Sequence, residues 1–112
     1  MELTILNSIK KLLGIEPEYT HFDMDVTIHI NSALRRLTQL GVGPTEGFRI
    51  DNATEWANYI GDAIDMEWVK DYIYLKTRLI FDPPQTGFLV DAIKSQIAEL
   101  EWCINSQAET QS

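Results

Sequence analysis

Cysteine is nearly absent from this sequence, which contains Cys103 and no second cysteine in 112 residues. An internal disulfide is therefore excluded, and a single thiol cannot build a cysteine-based zinc site. Long apolar runs are missing too, since no stretch approaches the roughly 18 residues of a transmembrane helix. The opening residues place an acid before the apolar segment and lysines after it, the reverse of a secretory signal. We therefore expect no membrane contact and a reducing compartment such as the cytoplasm.

Basic residues are scarce: nine lysines and arginines stand against 17 aspartates and glutamates, so the formal net charge is −8. Proteins that bind nucleic acid normally carry a basic stripe, and an acidic surface makes contact with phosphates unfavourable. The hydrophobic fraction of 45% is an ordinary value for a globular chain. Because 112 residues is a usual length for one domain, we expect a single domain over residues 1–112.

Patterns that carry catalysis are missing as well. The histidines, His21 and His29, match no short metal-ligand spacing. The segment HFDMD brings Asp23 and Asp25 close to His21, but capping of a helix explains these aspartates without a metal. No serine stands in a GxSxG motif, and the glycine-rich GVGPTEG lacks the lysine of a phosphate-binding loop. We therefore predict that the protein is not an enzyme and has no catalytic residue, no cofactor and no metal site.

Apolar residues recur at intervals of three and four along most of the chain, which is the period of an amphipathic helix. Glycine and proline mark the ends of these segments. The pattern predicts a first helix over residues 3–13 and long helices over residues 24–40, 62–82 and 86–105. The polar residues 106–112 are expected to form a flexible tail. The predicted fold class is therefore all-α, a small array of about four helices.

The middle of the chain is irregular. GVGPTEGF holds three glycines and a proline in eight residues, so we expect a loop there, with any strand confined to residues 48–50. A short helix is predicted next, carrying Trp56, Tyr59 and Ile60. Large rings in an irregular region are typical of interfaces, because aromatic residues dominate binding energy between proteins. Trp56 and Tyr59 are accordingly the candidate protein-interface residues.

A turn at Asp82, Pro83 and Pro84 interrupts the longest apolar stretch. Proline has no amide hydrogen and clashes with the preceding helical turn, so the helix must end near this point. A connection this short favours antiparallel neighbours, which predicts a C-terminal antiparallel helical hairpin. Across the turn, Leu79 and Phe81 are expected to pack against one of three apolar residues: Phe88, Leu89 or Ile93.

Three segments follow the short first helix in a fixed order: VTIHINSALRRLTQLGVG, then YLKTRLIFDPP, then FLVDAIKSQIAELEW. The most specific parts are the LGVG after the second helix and the proline turn followed by the last helix. In this order the chain resembles the head–tail connector proteins of long-tailed bacteriophages, also called adaptor or head-completion proteins. The resemblance extends over residues 3–102.

The resemblance implies a structural role. Members of that family assemble as a ring, usually twelvefold, beneath the portal vertex of the filled head, where they extend the DNA channel. The implied partners are further copies of the chain, the portal protein and a downstream neck or tail-completion protein, with DNA met only in passage. The implied location is the virion neck, reached after assembly in the cytoplasm of a bacterial host carrying the phage or a related prophage. The alternative is a small acidic cytosolic regulator or antitoxin that binds a basic protein.

Overall fold

The computed structural model describes residues 4–59 and 66–111, with the backbone alone for residues 109–111. Four α-helices make up most of this part of the chain: α1 (Ile5–Leu13), α2 (Asp23–Gln39), α3 (Met66–Phe81) and α4 (Gly87–Gln111). The predicted all-α class is confirmed. Within the described residues the one extended pairing is an isolated antiparallel bridge between Thr4 and Glu55, and no strand forms at the expected position in the glycine-rich loop.

Local side-chain chemistry explains where the first two helices begin and end. Thr4 caps α1, because its hydroxyl oxygen accepts a backbone N–H of the first turn at 3.1 Å. Gly14 follows α1 with a φ of 83°, and Gly41 follows α2 with a φ of 93°. Residues with a Cβ rarely adopt such left-handed angles, so glycine allows the chain to leave the helix. Beyond Gly41, the N–H of Val42 donates to the carbonyl of Leu37 at 2.9 Å.

The last helix is longer than predicted. Thr86 lies at its start and accepts a backbone N–H at 3.4 Å. The helix does not end near residue 105 but continues to Gln111. The flexibility expected of residues 106–112 stays a prediction. Ala108 is buried, and a Cβ placed on Gly41 would lie 3.4 Å from its side chain. The contact with the end of α2 gives this polar stretch a reason to remain helical.

The core lies where the helices meet. Most of its fully buried apolar side chains come from α1, α2 and α3: Ile5, Ile9, Val26, Ile30, Leu34, Leu37, Val69 and Ile73. Helix α4 adds Ile93, Ile97, Ile104 and Ala108. Burying one such branched aliphatic side chain contributes about 1.5–3 kcal/mol. The most extensive helix contacts join α2 to α3, and α4 packs on α3.

The predicted short helix is a single 3₁₀ turn, Trp56–Asn58. Asp51 organises the chain before it, since its Oδ1 accepts a backbone N–H and the Thr54 hydroxyl, both at 2.9 Å. The backbone bond, followed by the hydroxyl bond, lowers the pKa of Asp51. Ile60 and residues 62–65, which belong to the predicted helices, lie outside the described residues.

Lys10 holds the connection between α1 and α2 in place. The side chain is fully buried, and its Nζ donates to the carbonyls of Pro17 at 3.1 Å and Tyr19 at 2.8 Å. The same nitrogen lies 2.7 Å from Asp23 Oδ1. A buried ammonium requires such partners. The N-cap position of α2 is Phe22, without a capping side chain, and neither predicted aspartate fills it.

Candidate interaction surfaces

Trp56, the first candidate interface residue, is only 7% exposed. Its indole N–H donates to Ser8 Oγ at 3.0 Å, which joins the middle of the chain to α1. Lys70 Nζ lies 5.2 Å from the ring centroid, a distance that permits a cation–π contact. In a single chain this ring therefore serves internal packing, and its role in an interface stays a prediction.

Tyr59, the second candidate, is 5% exposed and lies against the ring of Phe48, with centroids 4.8 Å apart. Burial raises the pKa of its hydroxyl. The ring also covers Gly43, where an added Cβ would come within 2.8 Å of Tyr59 Cε1. The glycine-rich loop thus depends on Gly43 for close packing as well as for its φ of 80°. An interface role for Tyr59 likewise stays a prediction.

The predicted turn residues connect α3 to α4. The N–H of Asp82 donates to the Arg78 carbonyl at 2.9 Å, which completes the last turn of α3. Pro83 then offers no donor, and the helix stops as predicted. Asp82 and Pro83 are exposed, while Pro84 is half-buried.

The ring of Phe81 points toward α2. Its centroid lies 5.2 Å from that of Phe22, edge to face, and 6.4 Å from that of His29. Of the three partners expected across the turn, Ile93 is buried in the same core, whereas Phe88 is 82% exposed. The apolar period of the sequence could not show which residues Phe81 contacts, because its aromatic partner, Phe22, lies in the distant connection between α1 and α2.

Several large apolar side chains are exposed around this turn. Ile80, Phe88 and Leu89 are exposed on either side of the turn. Tyr19 contacts Phe22, which in turn contacts Phe81, and Met24 and Ile28 are exposed on the first half of α2. We call this set the turn end; its members are Tyr19, Met24, Ile28, Ile80, Phe88 and Leu89. Single exposed apolar residues are ordinary, but a group of them marks an interaction site. Further along α4, Trp102 is 71% exposed.

The second half of α4 is held by polar side chains from three helices. Glu101 Oε2 accepts the Tyr72 hydroxyl at 2.7 Å, and Glu101 Oε1 lies 3.1 Å from the Arg36 guanidinium. Asn105 donates to the carbonyl of Leu40 at 3.0 Å, which satisfies a group left open at the end of α2. These contacts join α4 to both α2 and α3.

The same contacts shift the pKa values of their members. Partial burial acts to raise the pKa of Glu101, but hydrogen bonds from Arg36 and Tyr72 outweigh it and lower that pKa. Burial, followed by the hydrogen bond to Glu101, raises the pKa of Tyr72. The bond to Glu101 raises the pKa of Arg36. All three shifts favour the neutral phenol and the ionised pair.

A groove of about 540 Å³ runs between α2 and the loop that leads to Ile50. Arg35 on α2 and Arg49 on the loop line it, and both are exposed. Asn31 Oδ1 accepts the N–H of Ile50 at 2.8 Å, which ties the loop to the helix. We call this feature the arginine groove, defined by Arg35, Phe48 and Arg49. The two arginines are 14 residues apart in the sequence, which gives no sign that they line the same groove.

A second groove, of about 530 Å³, lies between α3 and α4. Trp68 and Leu75 line it from α3, and Leu100 and Cys103 line it from α4. Cys103 is half-buried.

The residues of the HFDMD segment point to different neighbours. His21 lies edge-on to Phe22 with centroids 4.8 Å apart, Asp23 pairs with Lys10, and Asp25 is exposed. Within the described part of the chain, no group of three or more histidine, cysteine, aspartate or glutamate residues is arranged to hold a metal ion. The absence of a metal site stays a prediction.

Comparisons with known proteins give one match. A family model described as phage connector protein matches residues 5–111, nearly the whole chain. No curated protein and no solved structure matches. Among the described helices, none combines the length and apolar character needed to cross a membrane.

Proposed function

The chain belongs to the phage connector protein family, and from that premise we propose that it is a subunit of a ring adaptor between the portal and the tail or neck. Membership makes it a structural protein of the bacteriophage virion neck that contacts other head or tail proteins. The proposal adds a homo-oligomeric, twelvefold ring that extends the DNA channel. Its partners are the portal protein on one side and a neck or tail-completion protein on the other, and it assembles in the host cytoplasm.

The turn end is the observation that carries this proposal. Six large apolar side chains of this small acidic protein are exposed, three beside the turn and three at or near the start of α2, and Phe88 is 82% exposed. Leaving such a group in water is unfavourable, so a partner surface is expected to cover it. A ring subunit requires two different surfaces, one for each neighbour, and a further surface for the portal.

The charge of the chain fits passage of DNA rather than binding. Affinity for duplex DNA comes from lysines and arginines that neutralise phosphates. Of the nine bases, Lys10 is buried against Asp23 and Arg36 is paired with Glu101. A ring with a net charge of −8 per subunit repels DNA and prevents it from adhering. A channel subunit of this kind has no catalytic task, and we propose that the protein is not an enzyme.

Electron microscopy of the purified protein, alone and mixed with the portal of the same phage, tests the ring. We expect rings on the portal whose symmetry matches the portal's. A portal that remains bare at saturating protein contradicts the proposal.

Gel retardation of duplex DNA at about 0.15 M salt, where the Debye length is roughly 8 Å, tests whether the protein lets DNA pass without binding it. We expect weak binding without sequence preference. Two outcomes would support the alternative of a regulator or antitoxin. One is tight, sequence-selective DNA binding by a discrete monomer or dimer, and the other is a stable complex with a basic host protein in the absence of a ring.

A further inference from the structure

The arginine groove carries two guanidinium groups that form no ion pair with the described part of the chain. Neither Arg35 nor Arg49 forms a hydrogen bond or an ion pair with another described residue. The groove contains one carboxylate, Glu46, whose Oε2 accepts the Thr45 hydroxyl at 3.4 Å. Two exposed guanidinium groups on a protein with a net charge of −8 form a local site for carboxylates.

The connection between α1 and α2 presents the opposite charge. Glu16 and Glu18 are exposed there, and neither has a hydrogen-bond or ion-pair partner from its side chain in the described chain. Lys10 fixes the backbone on both sides of Glu18, through Pro17 and Tyr19. The N–H of Tyr19 also donates to the Glu16 carbonyl at 3.0 Å. We call this segment, residues 16–19, the acidic loop.

Because its backbone is already ordered, the acidic loop loses little conformational entropy when it binds. It also carries an aromatic ring, since Tyr19 is half exposed directly after Glu18. Phe48 in the arginine groove is half-buried and offers a matching apolar surface. The two surfaces are therefore complementary in charge and each includes an aromatic side chain.

The two surfaces of one chain are not paired with each other. None of the four charged side chains, Glu16, Glu18, Arg35 and Arg49, forms an ion pair with another described residue. Their charges therefore remain available to a second molecule, and two different surfaces on one subunit generate a head-to-tail contact.

We propose that the acidic loop of one copy docks in the arginine groove of the next copy, with Glu16 and Glu18 facing Arg35 and Arg49. This inference rests on the proposed ring, for which it supplies one subunit contact. The charges select the partner and set its orientation, while the aromatic and apolar contacts supply affinity.

Charge reversal on each side separates this contact from general effects of charge. One variant combines Arg35→Glu with Arg49→Glu, and the other combines Glu16→Lys with Glu18→Lys. Each variant alone brings like charges together, and we expect self-association, measured by sedimentation velocity and by ring counts on the portal, to weaken at least tenfold. An equimolar mixture restores both complementary pairs, because each variant then meets the other, and we expect assembly to return.

The matched control combines Lys11→Glu with Lys94→Glu, which changes the net charge as much at two exposed bases elsewhere. It is expected to assemble like the unaltered chain. Circular dichroism confirms that each variant is folded, and recovery in the mixture excludes misfolding independently.

The outcomes separate this contact from the ring itself. Rings on the portal that form equally well with both reversed variants, or a mixture that fails to recover, overturn the contact and leave the ring proposal standing. Self-association that depends on these charges but gives no ring on the portal supports the contact and overturns the ring. No self-association of the unaltered chain, with or without portal, overturns both.

Discussion

The two halves of helix α4 differ although they belong to one continuous helix. The second half contributes fully buried Ile104, the Glu101 contacts to α2 and α3, and the Asn105 bond to the end of α2. The first half exposes Phe88 and half of Leu89. A period of three and four residues runs through both halves, so amphipathic spacing alone does not decide which apolar residues are buried.

The difference shows that polar side chains fix where α4 packs. Tyr72 and Arg36 reach Glu101 from two other helices, and a misplaced helix would leave these groups without partners. No comparable polar contact is found among the described residues of the first half beyond the Thr86 cap. The outer side of the first half, with Phe88 and Leu89, is consequently available to a partner, while its Ile93 and Ile97 remain in the core.

The largest effect is expected from shortening a buried side chain of the second half. Ile104→Ala removes three carbons from a fully buried site and should lower the free energy of unfolding by about 2–5 kcal/mol. Urea denaturation followed by circular dichroism measures the change. Phe88→Ala is the matched control in the first half, where we expect a change within about 0.5 kcal/mol. Equal losses for the two variants would show that the halves are not distinct.

A smaller effect is expected from the polar contacts. Tyr72→Phe removes the hydroxyl that donates to Glu101 at 2.7 Å and should cost about 1 kcal/mol. Tyr74→Phe serves as control, because that hydroxyl accepts from Arg78 at 3.3 Å outside the Glu101 contacts. The same denaturation measurement applies to both. A larger loss for Tyr74→Phe than for Tyr72→Phe would contradict the role assigned to Glu101.

The pH dependence of stability gives another test of the Glu101 contacts in the second half of α4. The pKa of Glu101 is lower in the folded protein than its ordinary value of 4.5, so its stabilising effect is complete above that pH and lost as the pH falls through the lowered pKa. The pKa of Tyr72 is raised, so its effect is complete below pH 10.0 and lost at higher pH. Glu101→Gln should therefore flatten the acid side of the stability profile. An identical stability profile for Glu101→Gln and the unaltered chain would show that Glu101 does not contribute to the pH dependence of stability.

The smallest effect on stability is expected at the turn end, where binding to the portal should be affected instead. Phe88→Ser with Leu89→Ser should leave the unfolding midpoint nearly unchanged, because both side chains are already exposed. Binding to the portal should weaken, as measured by co-sedimentation. Ser95→Ala, an exposed site on the same helix, is the control. Unchanged portal binding would show that another surface makes this contact.

Helix positions were predictable because their ends depend on local chemistry. Gly14, Gly41 and Pro83 stop helices through their own backbone properties, and the all-α class followed from them. The interaction surfaces were harder to predict from the sequence. Lys10 donates to backbone carbonyl groups, which every residue has, so no side-chain pattern in the sequence predicts its burial.

Long-range contacts account for the remaining differences. Trp56 and Tyr59 were chosen for their chemistry, but their burial depends on Ser8 and Phe48, which lie far away in the sequence or in an irregular loop. The length of α4 likewise depends on the meeting of Ala108 with the end of α2. A periodicity argument treats each segment alone and omits such contacts.

The unequal exposure of the tryptophans gives the molecule built-in fluorescent reporters. Trp102 is 71% exposed on α4, so its emission should be red-shifted and readily quenched by acrylamide. Trp56 is 7% exposed and bonded to Ser8, so it should resist the quencher until the chain unfolds. With Trp102→Phe as a spectral blank, a partner that covers the outer face of α4 can be detected without any added label. The same sample then reports, through the buried Trp56 and the half-buried Trp68, whether the fold survived the encounter.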